Sequence, residues 1–381
     1  MKPRIAFFLT VDWYFCQHYL DLACAARDAG YDVFVITKVE DQGERIRAAG
    51  LTLVPLSICR RGLNPGRELL TVHRLARLLR ATRPDLLHNI AQKPVLYGSL
   101  AARLSGVRTV VNSLPGMGYL FTARHWRARL ARQLVSIGYR RLLLRPGSCV
   151  TVQNPDDREQ LRQVAGIESR LIPGSGVDLN RFRPTPTRPA PPVTIVLAAR
   201  LLWDKGLGEF VAAARLLRDQ GVTARFVLVG RPDPGNPGTV DVSQLQAWQA
   251  SGLIEWWGYR NDMPAVFDQA HIACLPSYYR EGLPKFLIEA AASGLPLVTT
   301  DGPGCREVVE PGRNGLLVPA RDPEALASAL AKLVADPALR ARFGQRSREL
   351  AERRFASHHI LASTLAIYRD LLQTGQCTAE P

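Results

Sequence analysis

Two glutamates eight residues apart, Glu281 and Glu289, frame a stretch whose residue types could hold a polar ligand. The segment Glu281-Gly282-Leu283-Pro284-Lys285-Phe286-Leu287-Ile288-Glu289 follows an apolar run at 272–275 that reads as a strand, and it leads into a helix. Pro284 suits the first helical position, where its missing N–H is not needed. Gly282 lets the backbone approach a ligand closely. The N–H groups at such a helix start favour an anion such as a diphosphate. A carboxylate accepts hydroxyl protons, so one acid could hold a sugar ring and the other a ribose. Arg200 and Lys205 lie where another apolar run, 194–198, gives way to a helix. Two cations aimed at a departing anion are a common electrostatic device. Spacing alone does not separate these residues from surface glutamates and a solvated lysine.

The first half carries a second set. His88-Asn89 ends an apolar run and Lys93-Pro94 opens the next helical stretch. Asn112-Ser113-Leu114-Pro115-Gly116-Met117-Gly118-Tyr119-Leu120-Phe121 comes later. Gly116 and Gly118 give flexibility. Met117, Tyr119, Leu120 and Phe121 offer apolar surface for a lipid-like ligand, or equally fill a buried strand-to-helix turn. Residues 124–145 hold seven arginines and no acid, with Trp126, Leu130, Leu134, Ile137 and Leu144 at helical spacing. A basic amphipathic helix with a tryptophan is a membrane-surface signature, so peripheral membrane contact is expected there.

Charge points the same way. The net charge of the 381 residues is +15; residues 1–190 contain 29 Lys and Arg against 14 Asp and Glu, and residues 191–381 contain 20 of each. A field confined to one half suggests phospholipid, a pyrophosphate-linked substrate or nucleic acid. No stretch reaches the ~18 apolar residues that span a bilayer. The apolar run 5–9 is too short for a signal-peptide core. The expected place is therefore cytoplasmic, peripheral at the inner face of the cytoplasmic membrane. Cysteines at 16, 24, 59, 149, 274, 305 and 377 form no C-x-x-C pair, so neither a zinc site nor a disulfide framework is expected.

The elements that must position these residues alternate. Strands are expected at 5–9, 33–37, 51–56, 86–88, 109–112 and 149–153, and helices at 16–29, 66–82, 94–105, 124–145 and 156–164. Helix 66–82 has an apolar side in Leu69, Val72, Leu75, Leu78 and Leu79. Residues 183–192 carry five prolines and read as an extended linker. Beyond it, strands are expected at 194–198, 225–229, 253–256, 272–275, 297–300 and 316–318, with helices at 207–219, 241–250, 285–293, 322–335, 345–353 and 356–374. Such alternation implies an α/β fold of two Rossmann-like parallel-sheet domains facing a central cleft. The domains are 1–182 and 193–355, with 356–381 returning to the first.

The sequence resembles the retaining glycosyltransferases of the GT-B fold, family 4 type. Glu281 to Glu289 matches that family's E-x7-E motif. Pro173-Gly174-Ser175-Gly176-Val177-Asp178 with Phe182 resembles its P-x-G-V-D-x-x-x-F segment, and Ala199 to Gly206 its R-L-x-x-x-K-G segment. Stretches 290–296 and 302–318 agree in order, so the likeness covers essentially the whole chain. The 112–121 loop resembles the G-x-G-Y-x-F loop of bacterial transferases that extend polyprenyl-pyrophosphate-linked sugars, although relatives often place a histidine where this chain has Gly116 to Gly118. The resemblance implies a UDP-sugar donor, transfer of a hexose or N-acetylhexosamine with retention, and a role in cell-surface polysaccharide or glycan assembly. It makes Arg200 and Lys205 the diphosphate clamp, Glu281 the group orienting the donor sugar and Glu289 the ribose holder. Gly282, Leu283 and Pro284 complete donor binding. His88, Lys93, Asn112, Gly116, Met117 and Gly118 fall on the acceptor side. No D-x-D triplet occurs, so no metal and no cofactor is expected, and activity should survive EDTA.

Other classes fit less well. A sugar-nucleotide epimerase of the same fold needs acid/base groups that are not evident. A dehydrogenase lacks its G-x-G-x-x-G cradle. A basic anion-binding module for nucleic acid lacks any recognisable motif, so no nucleic-acid partner is expected.

Overall fold

The computed structural model describes residues 2–58, 64–117, 126–186 and 188–377, without the side chains of 126–132 and 134. The chain divides into two compact units, Met1–Ser175 with His358–Pro381, and Gly176–Ser357.

The first unit is built on seven parallel strands: β1 (Arg4–Phe8), β2 (Asp32–Thr37), β3 (Thr52–Pro55), β4 (Leu86–Ile90), β5 (Thr109–Leu114), β6 (Ser148–Val152) and β7 (Arg170–Leu171). They lie in the order β3-β2-β1-β4-β5-β6-β7. Near-continuous apolar strands are what a sheet covered on both faces requires. Alternate residues of β1 serve the two faces. Ala6 and Phe8 meet Val72, Leu75 and Leu79 of the helix Pro65–Thr82. Ile5 and Phe7 meet Ile367, Tyr368 and Leu371 of the final helix, Ser357–Thr374. That helix is thus part of the first core although it comes last in the chain.

Several expectations need correction. The helix expected at 16–29 is two helices, Asp12–His18 and Leu20–Asp28, broken at Tyr19. The first starts early because the buried Asp12 carboxylate accepts backbone N–H groups from Trp13 (2.8 Å), Glu40 (2.9 Å) and Gln42 (2.8 Å). Leu69, assigned to the apolar side of its helix, is 66% exposed. Cys149 and Cys377 form a disulfide where none was expected, joining β6 to the segment after the final helix. Cys59 lies outside the described residues.

The second unit has six parallel strands: β8 (Val193–Ala198), β9 (Ala224–Val229), β10 (Glu255–Trp256), β11 (Ile272–Leu275), β12 (Leu297–Thr300) and β13 (Gly315–Val318). Their order is β10-β9-β8-β11-β12-β13. Phe210 and Leu217 of the helix Leu207–Asp219, and Leu287, Ile288 and Ala291 of the helix Lys285–Ala292, fill its core. The proline-rich 183–192 segment belongs to this unit. Arg188, half-buried there, donates to the carbonyls of Phe267 (2.6 Å), Ala270 (3.1 Å) and Ser293 (2.7 Å) and so fixes the segment to the body of the unit.

Candidate active site

In the second sheet, chain order reverses between the neighbouring strands β8 and β11. Ligands of open parallel sheets sit beyond the carboxyl ends at such a point. The two loops that leave there carry Arg200 and Lys205, and Ser277 and Glu281. They are stitched by backbone: the Asp204 carbonyl accepts from the N–H groups of Tyr278 and Tyr279, both at 3.0 Å, and lies 3.1 Å from Ser277 Oγ. Two glycines permit this closeness. Gly206 has φ +77°, and a Cβ there would fall 2.1 Å from the Pro276 carbonyl oxygen. Gly304 has φ +76°, and its Cβ would fall 2.1 Å from the Gly282 carbonyl oxygen. Both needs, left-handed backbone and empty space, single out glycine.

The consequence is a nearly buried ion pair. Lys205 Nζ contacts Glu281 Oε1, with the two side chains 12% and 11% exposed. Ser277 Oγ lies 2.8 Å from the same oxygen, and the Tyr279 ring stands 5.0 Å from the ammonium. Lys205 occupies the one-turn helix Trp203–Lys205 before the helix Leu207–Asp219. Asp204 feels Lys205, Glu281 and Arg200, and burial raises its carboxyl above the ordinary value. Its buried Oδ1 has no hydrogen-bond partner. Arg200 pairs with Asp233 at 3.0 Å, and the Asp233 N–H donates to Thr239 Oγ1 at 2.9 Å. Three cations and acids chosen by type and spacing therefore form one electrostatic cluster, which also recruits Asp204, Asp233 and Ser277.

Pro284 caps the helix Lys285–Ala292 from the position just before it. Gly282 and Leu283 fill the turn between Glu281 and that cap, with Leu283 buried. Glu289 is buried on the helix, 3.8 Å from Lys285. Burial pushes its carboxyl up to about 7, against the opposing pull of Lys285 and Arg181. It is thus poised to exchange a proton near neutrality.

The first-unit candidates divide. His88 sits in the middle of β4, not at its end, and is fully enclosed. Its Nδ1 is 2.6 Å from Tyr368 Oη and its Nε2 2.6 Å from Ser113 Oγ, which is 2.7 Å from Thr151 Oγ1. Its partners are side chains rather than backbone, and burial lowers the ring to about 3, so it is neutral. His88, Ser113 and Thr151 line a pocket with His18, Tyr19 and Gln153. Asn112 is buried, accepting from Asn89 (2.9 Å) and Ser99 (3.0 Å). Met117 is fully buried and faces the core, while its carbonyl accepts from Gln92 Nε2. Gly116 has φ +143°. Lys93 pairs with Glu68 at 2.7 Å. Gly118 lies outside the described residues, as do Arg124 and the side chains of Trp126, Arg127, Arg129, Leu130, Arg132 and Leu134. Farther along the helix Trp126–Leu143, Tyr139 and Leu143 face the core, and Ile137, Arg140, Arg141 and, just past its end, Leu144 are exposed.

Sequence reasoning missed Ser277, Asp233 and Tyr368 as partners. Ser277 and Asp233 each follow a strand's carboxyl end, which is a usable signal. Tyr368 gave none. Among the described residues, no three His, Cys, Asp or Glu side chains gather in a way that could hold a metal ion.

Comparison with known proteins bears on the family and the fold. Residues 4–154 match the model of the family Glycosyl transferase 4-like, and residues 192–336 that of Glycosyl transferases group 1. The chain is 28% identical over 331 residues to the Campylobacter jejuni N,N'-diacetylbacillosaminyl-diphospho-undecaprenol alpha-1,3-N-acetylgalactosaminyltransferase, spanning 83% of this chain and 85% of that one. It is 25% identical over 283 residues to the Escherichia coli UDP-Gal:alpha-D-GlcNAc-diphosphoundecaprenol alpha-1,3-galactosyltransferase, spanning 70% of each. The crystal structure of Anabaena HepE in complex with UDP and glucose matches 97% of this chain and 100% of that one, at TM-score 0.79 and 17% identity.

Proposed function

The chain belongs to the GT-B glycosyltransferases, with a Glycosyl transferase 4-like first half and a Glycosyl transferases group 1 second half, and from that premise we propose that it moves a hexose or N-acetylhexosamine from a UDP-sugar to a lipid-diphosphate-linked saccharide, with retention and without a metal. The carrying observation is the Lys205–Glu281 pair where β8 and β11 part. The Campylobacter and E. coli relatives, both named for diphosphoundecaprenol-linked sugars, support the acceptor class, and the E. coli relative's UDP-Gal supports the donor class.

In this reading the donor diphosphate enters beside Lys205 and Arg200, and the N–H groups before the helix Lys285–Ala292 add to the positive field. Glu281, fixed by Ser277, presents a carboxylate to the donor sugar hydroxyls. Glu289, titrating near neutrality, holds a ribose hydroxyl. The bond between the anomeric carbon and the diphosphate oxygen breaks as the acceptor hydroxyl attacks from the same face. The hydroxyl proton passes to the departing diphosphate oxygen, so no protein nucleophile is used. His88, neutral and tied to Tyr368 and Ser113 in a pocket that Tyr19 and Thr151 also line, belongs with Lys93 to the acceptor side. Arg140, Arg141, Ile137 and Leu144 on and beside the basic helix support peripheral membrane contact through 124–145, at the inner face of the cytoplasmic membrane. Among the described residues no helix is long and apolar enough to cross a membrane.

The test is UDP release from a panel of UDP-sugars in EDTA, with and without a synthetic polyprenyl-diphosphate monosaccharide. Acceptor-stimulated release from one donor is expected. Turnover that vanishes in EDTA and returns with Mg²⁺ or Mn²⁺ removes the metal-free mechanism. Silence with every UDP-sugar removes the UDP assignment.

A further inference from the structure

Among the described residues, the helix Pro65–Thr82 has an outer face that is left exposed. Asn64 caps it, accepting the Arg67 N–H at 3.2 Å, and Pro65 opens it. Its inner stripe, Val72, Leu75, Ala76 and Leu79, is spent on the sheet. Its one acid, Glu68, is held by Lys93. At 3.6 residues per turn, Arg67, Leu70, Arg74 and Arg77 lie opposite that stripe, and Leu69, His73 and Arg80 lie between the two, Leu69 at the stripe's margin. All seven are exposed. Leu69 and Leu70 are 66% and 46% exposed. Among the described residues, the Arg67, Arg74 and Arg77 guanidinium groups have no ion-pair or hydrogen-bond partner.

A single exposed leucine needs no explanation. Two adjacent ones, set within a row of unpaired arginines and no facing acid, match an interfacial surface: leucines enter the acyl boundary and arginines meet headgroup phosphates. The helix begins after β3, so Leu69 and Leu70 stand at the carboxyl end of the sheet, and the Lys93–Glu68 pair ties this turn to the first turn of the helix Gln92–Ser105 that follows β4. That is the end of the unit that carries the acceptor candidates. The helix Pro65–Thr82 is separate from the helix Trp126–Leu143, and Gln92–Ser105 packs against both.

We propose that the outer face of the helix Pro65–Thr82 docks the protein on a bilayer containing anionic phospholipid, through Leu69, Leu70, Arg67, Arg74 and Arg77. This docking rests on the lipid-acceptor reading for its purpose, yet vesicle binding scores it whether or not the enzyme turns over. The experiment sediments the full chain with vesicles of phosphatidylglycerol and phosphatidylcholine, against pure phosphatidylcholine, in ~100 mM salt, where surface charges still act over about 10 Å. Each cation near anionic lipid is worth about fivefold, so R67Q/R74Q/R77Q should bind on the order of 100-fold more weakly. L69S/L70S should lose about tenfold or more while keeping the preference for anionic lipid. Wild-type binding by either variant overturns the proposal. So does loss confined to R140Q/R141Q, or absence of vesicle binding altogether, which would leave an acidic protein as the partner of this face. Both variants should retain wild-type turnover on a water-soluble short-chain acceptor. If the wild type itself shows none, the transferase reading fails and the vesicle result still stands.

Discussion

Lys205→Ala tests the centre of the site, because the same ammonium serves the resting protein and the reaction. In the resting protein it pairs with Glu281 at an oxygen that Ser277 also contacts. Removing one partner of a buried pair costs about 3–5 kcal/mol. Both side chains keep about a tenth of their surface, so the lower end, ~3 kcal/mol, applies. At roughly 2–4 °C per kcal/mol this lowers Tm by about 6–12 °C. In the reaction, loss of a positioned donor to the departing diphosphate should lower kcat about 10²–10³-fold. A double-mutant cycle with Glu281→Ala, followed by thermal unfolding and UDP release, separates the two effects. The stability cycle should return a coupling of about 1–3 kcal/mol, since the groups touch. The double variant should be no slower than the slower single variant, because either loss disables the same step. Turnover of Lys205→Ala within threefold of wild type, or a stability coupling near zero, would refute the assignment.

Three further outcomes follow from the geometry. Burial raises the Glu289 carboxyl from 4.5 to about 7, so its favourable contribution is complete below about pH 4.5 and is lost as pH climbs through about 7. Glu289→Gln should therefore raise Tm more at pH 8 than at pH 5, and an equal shift at both pH values would show that Glu289 is ionised throughout. Gly304→Ala places a Cβ 2.1 Å from the Gly282 carbonyl oxygen and should cut turnover ~10²-fold through misplacement of Glu281. Gly312→Ala, also left-handed at φ +74° but facing open space, should cost only about 1 kcal/mol of stability; equal damage to turnover in the two variants would mean that loop 281–282 is not held by Gly304. His88→Phe strands the Tyr368 hydroxyl and leaves Ser113 with Thr151 alone, and should lower stability by roughly 1–3 kcal/mol, read by urea unfolding; no change would mean that water replaces the imidazole.

What could be read in the sequence and what could not divides along one physical line. Parallel strands buried on both faces are apolar runs, and β11 and β12 begin and end where the runs do. Loops after β8 and β11 announce themselves by a strand end followed by charge, so Arg200, Lys205 and Glu281 stood out. Their pairing did not, because Lys205 and Glu281 are 76 residues apart and only the adjacency of β8 and β11 joins them. The same holds for His88 and Tyr368, 280 residues apart, and for Cys149 and Cys377, 228 apart. Local rules misled where tertiary contacts overrode them. Five prolines marked an extended linker but could not show that Arg188 donates to three carbonyls of the second unit and holds the segment on its surface. Leu69 fitted a helical stripe, yet it stands at the stripe's margin in the second turn, two-thirds exposed. A leucine on the edge of an apolar arc satisfies the period whether it faces a core or something outside the molecule. Periodicity names a face, and only the count of what lies across from it tells core from contact surface. On the helix Pro65–Thr82 the buried stripe runs from Val72 to Leu79, and Leu69 and Leu70, one turn earlier, lie outside it.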